Sequence, residues 1–288
     1  DFSGNFSGDD VQNNSTIGDF SGNFRADGAE FNIVTGDVSG NFVDGDGNKV
    51  YGNFSGNFVE GDSNSASGFL TGNFVEGDNN QSAGTAAGNF VEGDDNQASG
   101  NVAGNGVNGD GNQASGTNVG NGVFGAFNQA SGFASGNGVF GVNNQADGFV
   151  VGNGVAGANN QASGAFSGNA VVGSNNIAMG TGAGNAINAD NTIAIGTGAR
   201  ASGEDSTAIG VGAQATKNHQ MVFGTTADTY TTPGITSAKS ANRQSGPLEV
   251  VTSDAGGNLA TDGGDIFRRF NNAEQDIDEL YSCFALAI

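Results

Sequence analysis

Hydrophobic and polar residues recur along positions 40–199 at a fixed interval of sixteen residues. With Gly40 as position 1 of the first unit, position 4 is valine in nine consecutive units and isoleucine in the tenth. Position 2 is asparagine in all ten units, position 13 is always glycine, and position 6 is glycine in all but the last. This regularity predicts a stacked repeat protein, in which equivalent side chains form columns.

Glycine at two positions leaves room for two strands of four or five residues per unit, joined by tight turns. A helical repeat would need more residues and fewer glycines. Two longer units of eighteen residues begin at Gly4 and Gly22, and a shorter unit of fourteen begins at Arg200. We therefore predict a mostly β fold, a solenoid of about thirteen turns of fourteen to eighteen residues, with the valine column inside.

Amides form further columns, with asparagine at position 9 from Asn48 to Asn176 and glutamine at position 10 in six units. Stacked amides can hydrogen-bond their copies in the turns above and below. We interpret these columns as structural ladders, because a solenoid must satisfy its buried amides and turn groups.

Phenylalanine occupies position 3, next to the valine column, in four consecutive units: Phe42, Phe58, Phe74 and Phe90. Neighbouring residues of a strand point to opposite faces, so one solenoid cannot bury both columns. A row of phenylalanines on its surface would be an exposed apolar stripe. We predict that identical copies of the chain cover these rings; a binding stripe for another partner is the alternative.

The charge of the chain excludes several partners. Thirty acidic residues against eight basic ones give a formal net charge of -22, and no lysine or arginine lies between Lys49 and Arg200. Such a surface repels nucleic acids and anionic lipid. The single cysteine, Cys283, excludes an intrachain disulfide framework.

Catalysis has little support in the sequence. The only histidine, His219, and Cys283 lie on different predicted elements, so neither a Ser-His-Asp nor a Cys-His arrangement is indicated. A lyase of the kind found on other β-helices would need basic residues beside an acidic cleft, and residues 50–199 contain none. We therefore expect a protein that is not an enzyme.

Acidic residues at positions 5 and 7 form two columns of their own: Asp44, Glu60, Glu76 and Glu92, and Asp46, Asp62, Asp78, Asp94 and Asp110. At a spacing of about 4.8 Å, neighbouring carboxylates repel by roughly 1 kcal/mol per pair in water. The side chains can splay into solvent, take up protons, or bind cations through oxygen ligands. We interpret these columns as solvated acidic turns, with the nine residues as candidate ligands of a Ca²⁺ ladder as the alternative.

Residues 191–216, NTIAIGTGARASGEDSTAIGVGAQAT, resemble the head repeat of YadA-type trimeric autotransporter adhesins. The family pattern S-x-A-I-G-x-G-A-x-A is matched by Ser206, Ala208, Ile209, Gly210, Gly212, Ala213 and Ala215. The resemblance implies a left-handed parallel β-roll and three chains around one axis. The upstream units carry the same glycine corners with NQASG where the family has STAIG, and we interpret them as longer turns of the same roll.

The C-terminal residues change to a helical pattern, with apolar residues spaced alternately by four and three: Ile266, Phe270, Ala273, Ile277, Leu280, Phe284 and Ala287. This predicts a coiled-coil helix, with Asp265 capping its start; a helix packed on its own domain is the alternative. The segment before it breaks the repeat interval, contains both prolines, and resembles the family's connector between head and stalk. We thus predict a β-roll head over residues 1–216, a connector over 217–262 and a stalk helix over 263–288.

The sequence therefore predicts a fibrous homotrimer, extracellular or on the bacterial cell surface, whose task by resemblance is attachment or building a surface fibre. A secreted self-assembling filament subunit and a phage-type tail fibre stay open as structural alternatives, and a calcium- or glycan-binding module as a third. The chain starts inside a repeat and lacks the family's membrane anchor. We expect a processed product or a fragment that makes no membrane contact as given, and the receptor is not predicted.

Overall fold

The protein is described by a computed structural model of residues 12–26 and 28–285. The chain forms two compact units, Asp1–Asp228 and Thr229–Ile288. The first unit is a parallel β-solenoid, which confirms the predicted mostly β fold. One strand per turn joins a parallel sheet of 14 strands, here called the long sheet. Its strands are Ser15–Ile17, Ile33–Thr35, Lys49–Tyr51, Ser65–Phe69, Gln81–Thr85, Gln97–Asn101, Gln113–Thr117, Gln129–Phe133, Gln145–Phe149, Gln161–Ala165, Ile177–Met179, Ile193–Ile195, Thr207–Ile209 and Met221–Phe223.

The second strand of each turn is shorter than predicted, with two residues in place of four or five. These strands form a parallel sheet of six, the short sheet: Val43–Asp44, Val59–Glu60, Val75–Glu76, Val91–Glu92, Val107–Asn108 and Val123–Phe124. Isolated parallel bridges continue the same column from Phe124 to Asn188. Two further strands, Arg200–Ala201 and Gln214–Ala215, pair in parallel. The second strand has only two residues because the corners take up most of the residues of each unit.

Units of different length keep one register. Ile17 pairs with Thr35 in a long unit, Thr35 pairs with Tyr51 in a unit of the common length, and Ile195 pairs with Ile209 in the short unit. The strand Met221–Phe223, in the segment predicted as connector, also pairs with the long sheet. Extra or missing residues are therefore accommodated at the corners, and equivalent positions stay stacked.

The interior consists of columns, as the repeat predicts. The position-4 column, Val43 to Ile187, is buried throughout. Opposite it lies position 11 of the long sheet, alanine in most turns, as in Ala98 and Ala114. These small side chains bring the two sheets close together, so each turn buries little more than one valine and a few methyl groups. Stability therefore depends on the number of turns.

Glycine is required at two positions of the common turn, one near the end of the long-sheet strand and one at the corner after the short-sheet strand. At position 13, Gly100 has φ 135° and a Cβ built on it would lie 1.8 Å from the Gly116 carbonyl oxygen. At position 6, Gly61 has φ 117° and a Cβ would lie 2.3 Å from the Gly77 oxygen. Backbones of successive turns approach too closely there for any side chain, as predicted from the repeat.

The second unit contains a 3₁₀ helix, Pro233–Thr236, a helical turn, Ala238–Ala241, and an antiparallel pair of strands, Val251–Ser253 and Leu259–Thr261. The C-terminal helix, Asp265–Ala285, confirms the predicted helix. Its N-terminus is capped by Asp262, because Asp262 Oδ2 accepts a hydrogen bond from the Ile266 N–H at 2.8 Å. The prediction that Asp265 is the cap was wrong: Asp265 lies in the first turn, and its carboxylate contacts Arg268 at 3.2 Å.

Candidate ligand and assembly surfaces

Two asparagine ladders connect the turns, as predicted. At position 9, the side chain of Asn96 donates to Asn80 Oδ1 at 3.1 Å, and its own Oδ1 accepts from the Asn112 side chain at 3.0 Å. At position 2, Asn57 donates its amide to Asn73 Oδ1 at 3.1 Å. The position-9 ladder is buried from Asn32 to Asn176. These amides satisfy one another and turn carbonyls, so their role is structural.

The position-7 carboxylates also have a backbone partner in the neighbouring turn. Oδ1 of Asp78 accepts a hydrogen bond from the Asp62 N–H at 2.7 Å, and Oδ1 of Asp94 accepts one from the Asp78 N–H at 2.8 Å. The same bond recurs at every member of the set, here called the aspartate column: Asp46, Asp62, Asp78, Asp94 and Asp110. Each carboxylate therefore satisfies a corner N–H, a structural use that the sequence pattern did not reveal.

The position-5 carboxylates, Asp44, Glu60, Glu76 and Glu92, are exposed on the short sheet and are here called the acidic row. The row ends at Asn108, whose amide donates to Glu92 Oε2 at 2.6 Å. Among the described residues, no group of three or more histidine, cysteine, aspartate or glutamate side chains is arranged to hold a metal ion. Calcium binding by the nine acidic residues stays an open alternative.

The position-3 phenylalanines point away from the valine column, as predicted, but they do not belong to a strand. Phe42, Phe58, Phe74 and Phe90 lie at the corner just before it, with φ near 60°. This left-handed conformation costs roughly 1–2 kcal/mol for a residue with a Cβ. The signal was present in the sequence, because position 3 is glycine in later turns, where Gly106 and Gly122 have nearly the same φ.

Stacking compensates part of that cost. With Phe24 of the preceding turn, the four rings form the phenylalanine row, whose neighbouring centroids are 4.5, 4.6, 4.8 and 5.0 Å apart with interplanar angles of 5° or less. Stacked aromatic pairs contribute about 0.5–1.5 kcal/mol beyond their buried area. The rings stay 44–63% exposed. Their contact with another copy of the chain stays a prediction.

A groove of about 850 Å³ runs between the phenylalanine row and the acidic row, and is here called the acidic groove. The backbone of position 4 forms its floor, because the valine side chains point into the core, and Arg25 lines its N-terminal end. Arg25 replaces valine at position 4, is only 8% exposed, and donates to Thr16 Oγ1 at 2.5 Å. Burial lowers the pKa of this guanidinium, which nevertheless stays charged.

A second groove, of about 790 Å³, follows the other side of the phenylalanine row. Its opposite wall is the position-15 column, which includes Phe54 and Leu70, and no carboxylate lines it among the described residues. The two sides of the row thus differ in charge, although they share the same rings.

The C-terminal end of the long sheet carries an apolar patch that the sequence pattern did not assign. Met179, Ile195, Ile209 and Phe223 stand in register in successive turns and are 36–50% exposed. The alanines between the outward positions, such as Ala194 and Ala208, are buried. Earlier turns place serine in the same column, as in Ser99 and Ser115. The patch is therefore confined to the last turns.

The predicted seam of the C-terminal helix lies on its surface: Phe270, Ile277 and Leu280 are 52–65% exposed, Ala273 is exposed and Ile266 is half-buried. Phe284 and Ala287 lie outside the residues whose side chains are described. No described helix is long and apolar enough to cross a membrane.

The predicted absence of a catalytic arrangement concerns His219 and Cys283. His219 Nδ1 lies 3.4 Å from the Asp205 carboxylate, and both side chains are well exposed. Cys283 lies outside the described side chains. This surface pair alone gives no nucleophile for a reaction.

The comparison with protein families finds the YadA head domain repeat in two copies, at residues 188–213 and 201–219. The comparisons with curated proteins and with solved structures give no match. YadA-type adhesins are cell-surface homotrimers of a kind that is typically structural rather than enzymatic. The matched repeats form the end of the parallel solenoid where the apolar patch lies. Together, the repeats and the solenoid support a YadA-type trimeric autotransporter adhesin head.

Proposed function

We propose that the chain is a non-enzymatic, extracellular fibrous protein that acts as a homotrimer, attaching the bacterial surface to another surface or building a surface fibre. The observation that carries this proposal is the pair of YadA head repeats at residues 188–219, within a continuous parallel solenoid. A solenoid repeats the same surface in every turn, so it suits many weak, equivalent contacts.

Two exposed apolar features support self-association. The apolar patch of the solenoid lies within and beside the matched repeats, and the helix has an apolar seam of the coiled-coil type. Burying either against identical copies removes apolar area from water at roughly 25 cal/mol per Å².

Sedimentation of the full chain tests the assembly. We expect a species of about three times the 28.5 kDa chain mass, and dissociation when Ile195→Asp and Ile209→Asp place charges in the patch. Ser115→Asp is the matched control, because it adds a carboxylate to the same column outside the patch. A monomer, or a trimer that resists the double substitution, would contradict the proposed contact.

Attachment has its own test. Beads coated with the trimer should adhere to host cells or matrix more strongly than beads coated with the same mass of the Ile195→Asp, Ile209→Asp variant, because three linked heads bind with higher avidity. Electron microscopy of the native material separates adhesin from filament. Single trimers are expected; continuous fibres would favour the filament.

A further inference from the structure

We propose that the acidic groove binds flat, elongated aromatic cations. The site consists of the phenylalanine row, along five successive turns of the solenoid, on one wall and the acidic row, along the last four of these turns, on the other. It lies on the short sheet, whereas the apolar patch proposed for self-association lies on the long sheet. The groove and the apolar patch therefore use different residues.

The orientation of the rings selects the chemistry of the ligand. Because the rings stack on one another along the row, with interplanar angles of 5° or less, their faces are covered by neighbours and the groove meets their edges. The exposed ring edges form an apolar wall against which a planar aromatic body can pack. Because ring edges carry partial positive charge, the attraction for a cation comes from the acidic row and not from the rings. A sugar ring needs an exposed aromatic face, which these stacked rings do not offer.

The acidic row on the opposite wall favours a positively charged ligand. The four carboxylates of the acidic row are exposed, and no described lysine, arginine or histidine lies within salt-bridge distance of them. The one cation among the described residues of the groove, Arg25, is buried at its end and bonded to Thr16. A cation is therefore attracted along the row, and nucleic acid or a second copy of this acidic chain is repelled.

The length of the groove and the spacing of its rings favour a rigid planar ligand over a peptide. Four centroid spacings of 4.5, 4.6, 4.8 and 5.0 Å make the row about 19 Å long. Side chains on one face of an extended peptide recur at about 6.7 Å and fall out of step with these turns. A rigid conjugated body of similar length needs no such match, and its planarity also limits the conformational entropy lost on binding.

Thioflavin T, a flat aromatic cation whose fluorescence rises when its rings are immobilised, is a direct probe. We expect saturable binding to the soluble full chain, monitored by fluorescence and by equilibrium dialysis, and weakened by salt as the carboxylates are screened. The Glu60→Gln, Glu76→Gln double variant should bind about tenfold more weakly, because half of the acidic row is neutralised. The Phe58→Ala, Phe74→Ala variant should lose binding.

The phenylalanine variant should still fold, because Ala170 and Ala186 occupy position 3 in later turns with φ 56° and 52°. The matched control is Phe124→Ala with Phe140→Ala, which removes a stacked pair at 5.1 Å from the position-5 column, beyond the acidic row. That control should bind the dye like the parent chain.

Three results would overturn the inference. Equal affinity for the glutamine variant, or for an anionic aromatic dye, would place binding in the uncharged groove on the other side of the row. Binding lost in the Phe124, Phe140 control would place the site elsewhere. An absence of dye binding, together with dissociation of the trimer by Phe58→Ala and Phe74→Ala, would show that a second copy occupies the groove.

Discussion

Each side chain of the solenoid contacts its copies in the turns before and after, so one substitution breaks two sets of contacts. Asn96 shows this: its side chain donates to Asn80 Oδ1, and its Oδ1 accepts both the N–H and the side-chain amide of Asn112. A residue that looks like one of many in the sequence is therefore a link between three turns.

We expect Asn96→Ala to lower the free energy of unfolding by about 1–3 kcal/mol, because it leaves buried polar groups without partners. Gln97→Ala is the matched control, since Gln97 is the next residue but is exposed on the long sheet, and it should change stability by about 0.5 kcal/mol or less. Urea unfolding of both variants measures the difference. Equal effects would contradict a structural role for the ladder.

Glycines with a positive φ differ in how closely the backbone of the next turn approaches them, and this distance should decide the effect of a substitution. Gly100→Ala should disrupt the pairing of its turn, because the new Cβ would meet the Gly116 carbonyl oxygen. Gly182→Ala should cost only the roughly 1–2 kcal/mol of a left-handed alanine, because no atom lies within 4 Å of the new Cβ. Thermal melting of the two variants compares them, and similar losses would show that φ alone decides.

The aspartate column is an element in which charge and hydrogen bonding can be separated. Asp78→Asn keeps an oxygen that accepts the Asp62 N–H and removes one charge, so without calcium it should be at least as stable as the parent chain. If calcium binds along the column, added Ca²⁺ should raise the melting temperature of the parent more than that of the variant. Melting in calcium and in chelator at low salt measures both effects. Identical curves for the parent in the two buffers would exclude the calcium ladder.

The start of the C-terminal helix should be sensitive to acid. The hydrogen bond from the Ile266 N–H is the largest effect and lowers the pKa of Asp262 below its ordinary value of 3.8. Burial, the next largest, opposes it, and bonds from the Val250 and Gly264 N–H groups lower the pKa further. The carboxylate therefore stabilises the helix end at pH values above 3.8, and this stabilisation is lost as the pH falls through the lowered pKa.

Amide exchange of Ile266, followed from neutral pH downward and corrected for intrinsic rates, measures this loss. Asp262→Asn is the control, because its side chain can still accept a hydrogen bond but does not titrate in this range. We expect the acid-dependent part of the protection to disappear in the variant. The same pH dependence in both proteins would assign it to another group.

At the scale of the whole solenoid, the repeat predicted the turns, the valine core and the asparagine ladders, because periodic side chains must meet their copies. The glycines at position 3 of later turns carried a signal for the left-handed φ of Phe58. The carboxylate bond of Asp78 could not be predicted, since it depends on corner geometry rather than on periodicity. The repeat also left Ile195 and Ile209 unassigned, because their outward direction follows from the buried alanines beside them.

Removal of one complete turn is a test at this scale. Deletion of residues 88–103 places Gly104 after Ala87, so Gln81–Thr85 can pair with Gln113–Thr117 in the existing register. We expect the variant to fold with an unchanged circular dichroism signal per residue. Its free energy of unfolding should be lower by the contribution of one turn. Deletion of residues 88–95, half a turn, should prevent folding of the neighbouring turns, because it removes the short-sheet strand Val91–Glu92 but keeps the long-sheet strand Gln97–Asn101, so the columns lose their register. Tolerance of both deletions would contradict a register fixed by the columns.

The constant register across the short, common and long turns makes the chain a product suited to tandem duplication. Duplication or deletion of one repeat in the gene adds or removes one complete turn. The new turn stacks on the same side chains that its neighbours already contact, so each change of length gives a chain that can still fold. The length of the solenoid can thus be selected separately from the chemistry of its surface.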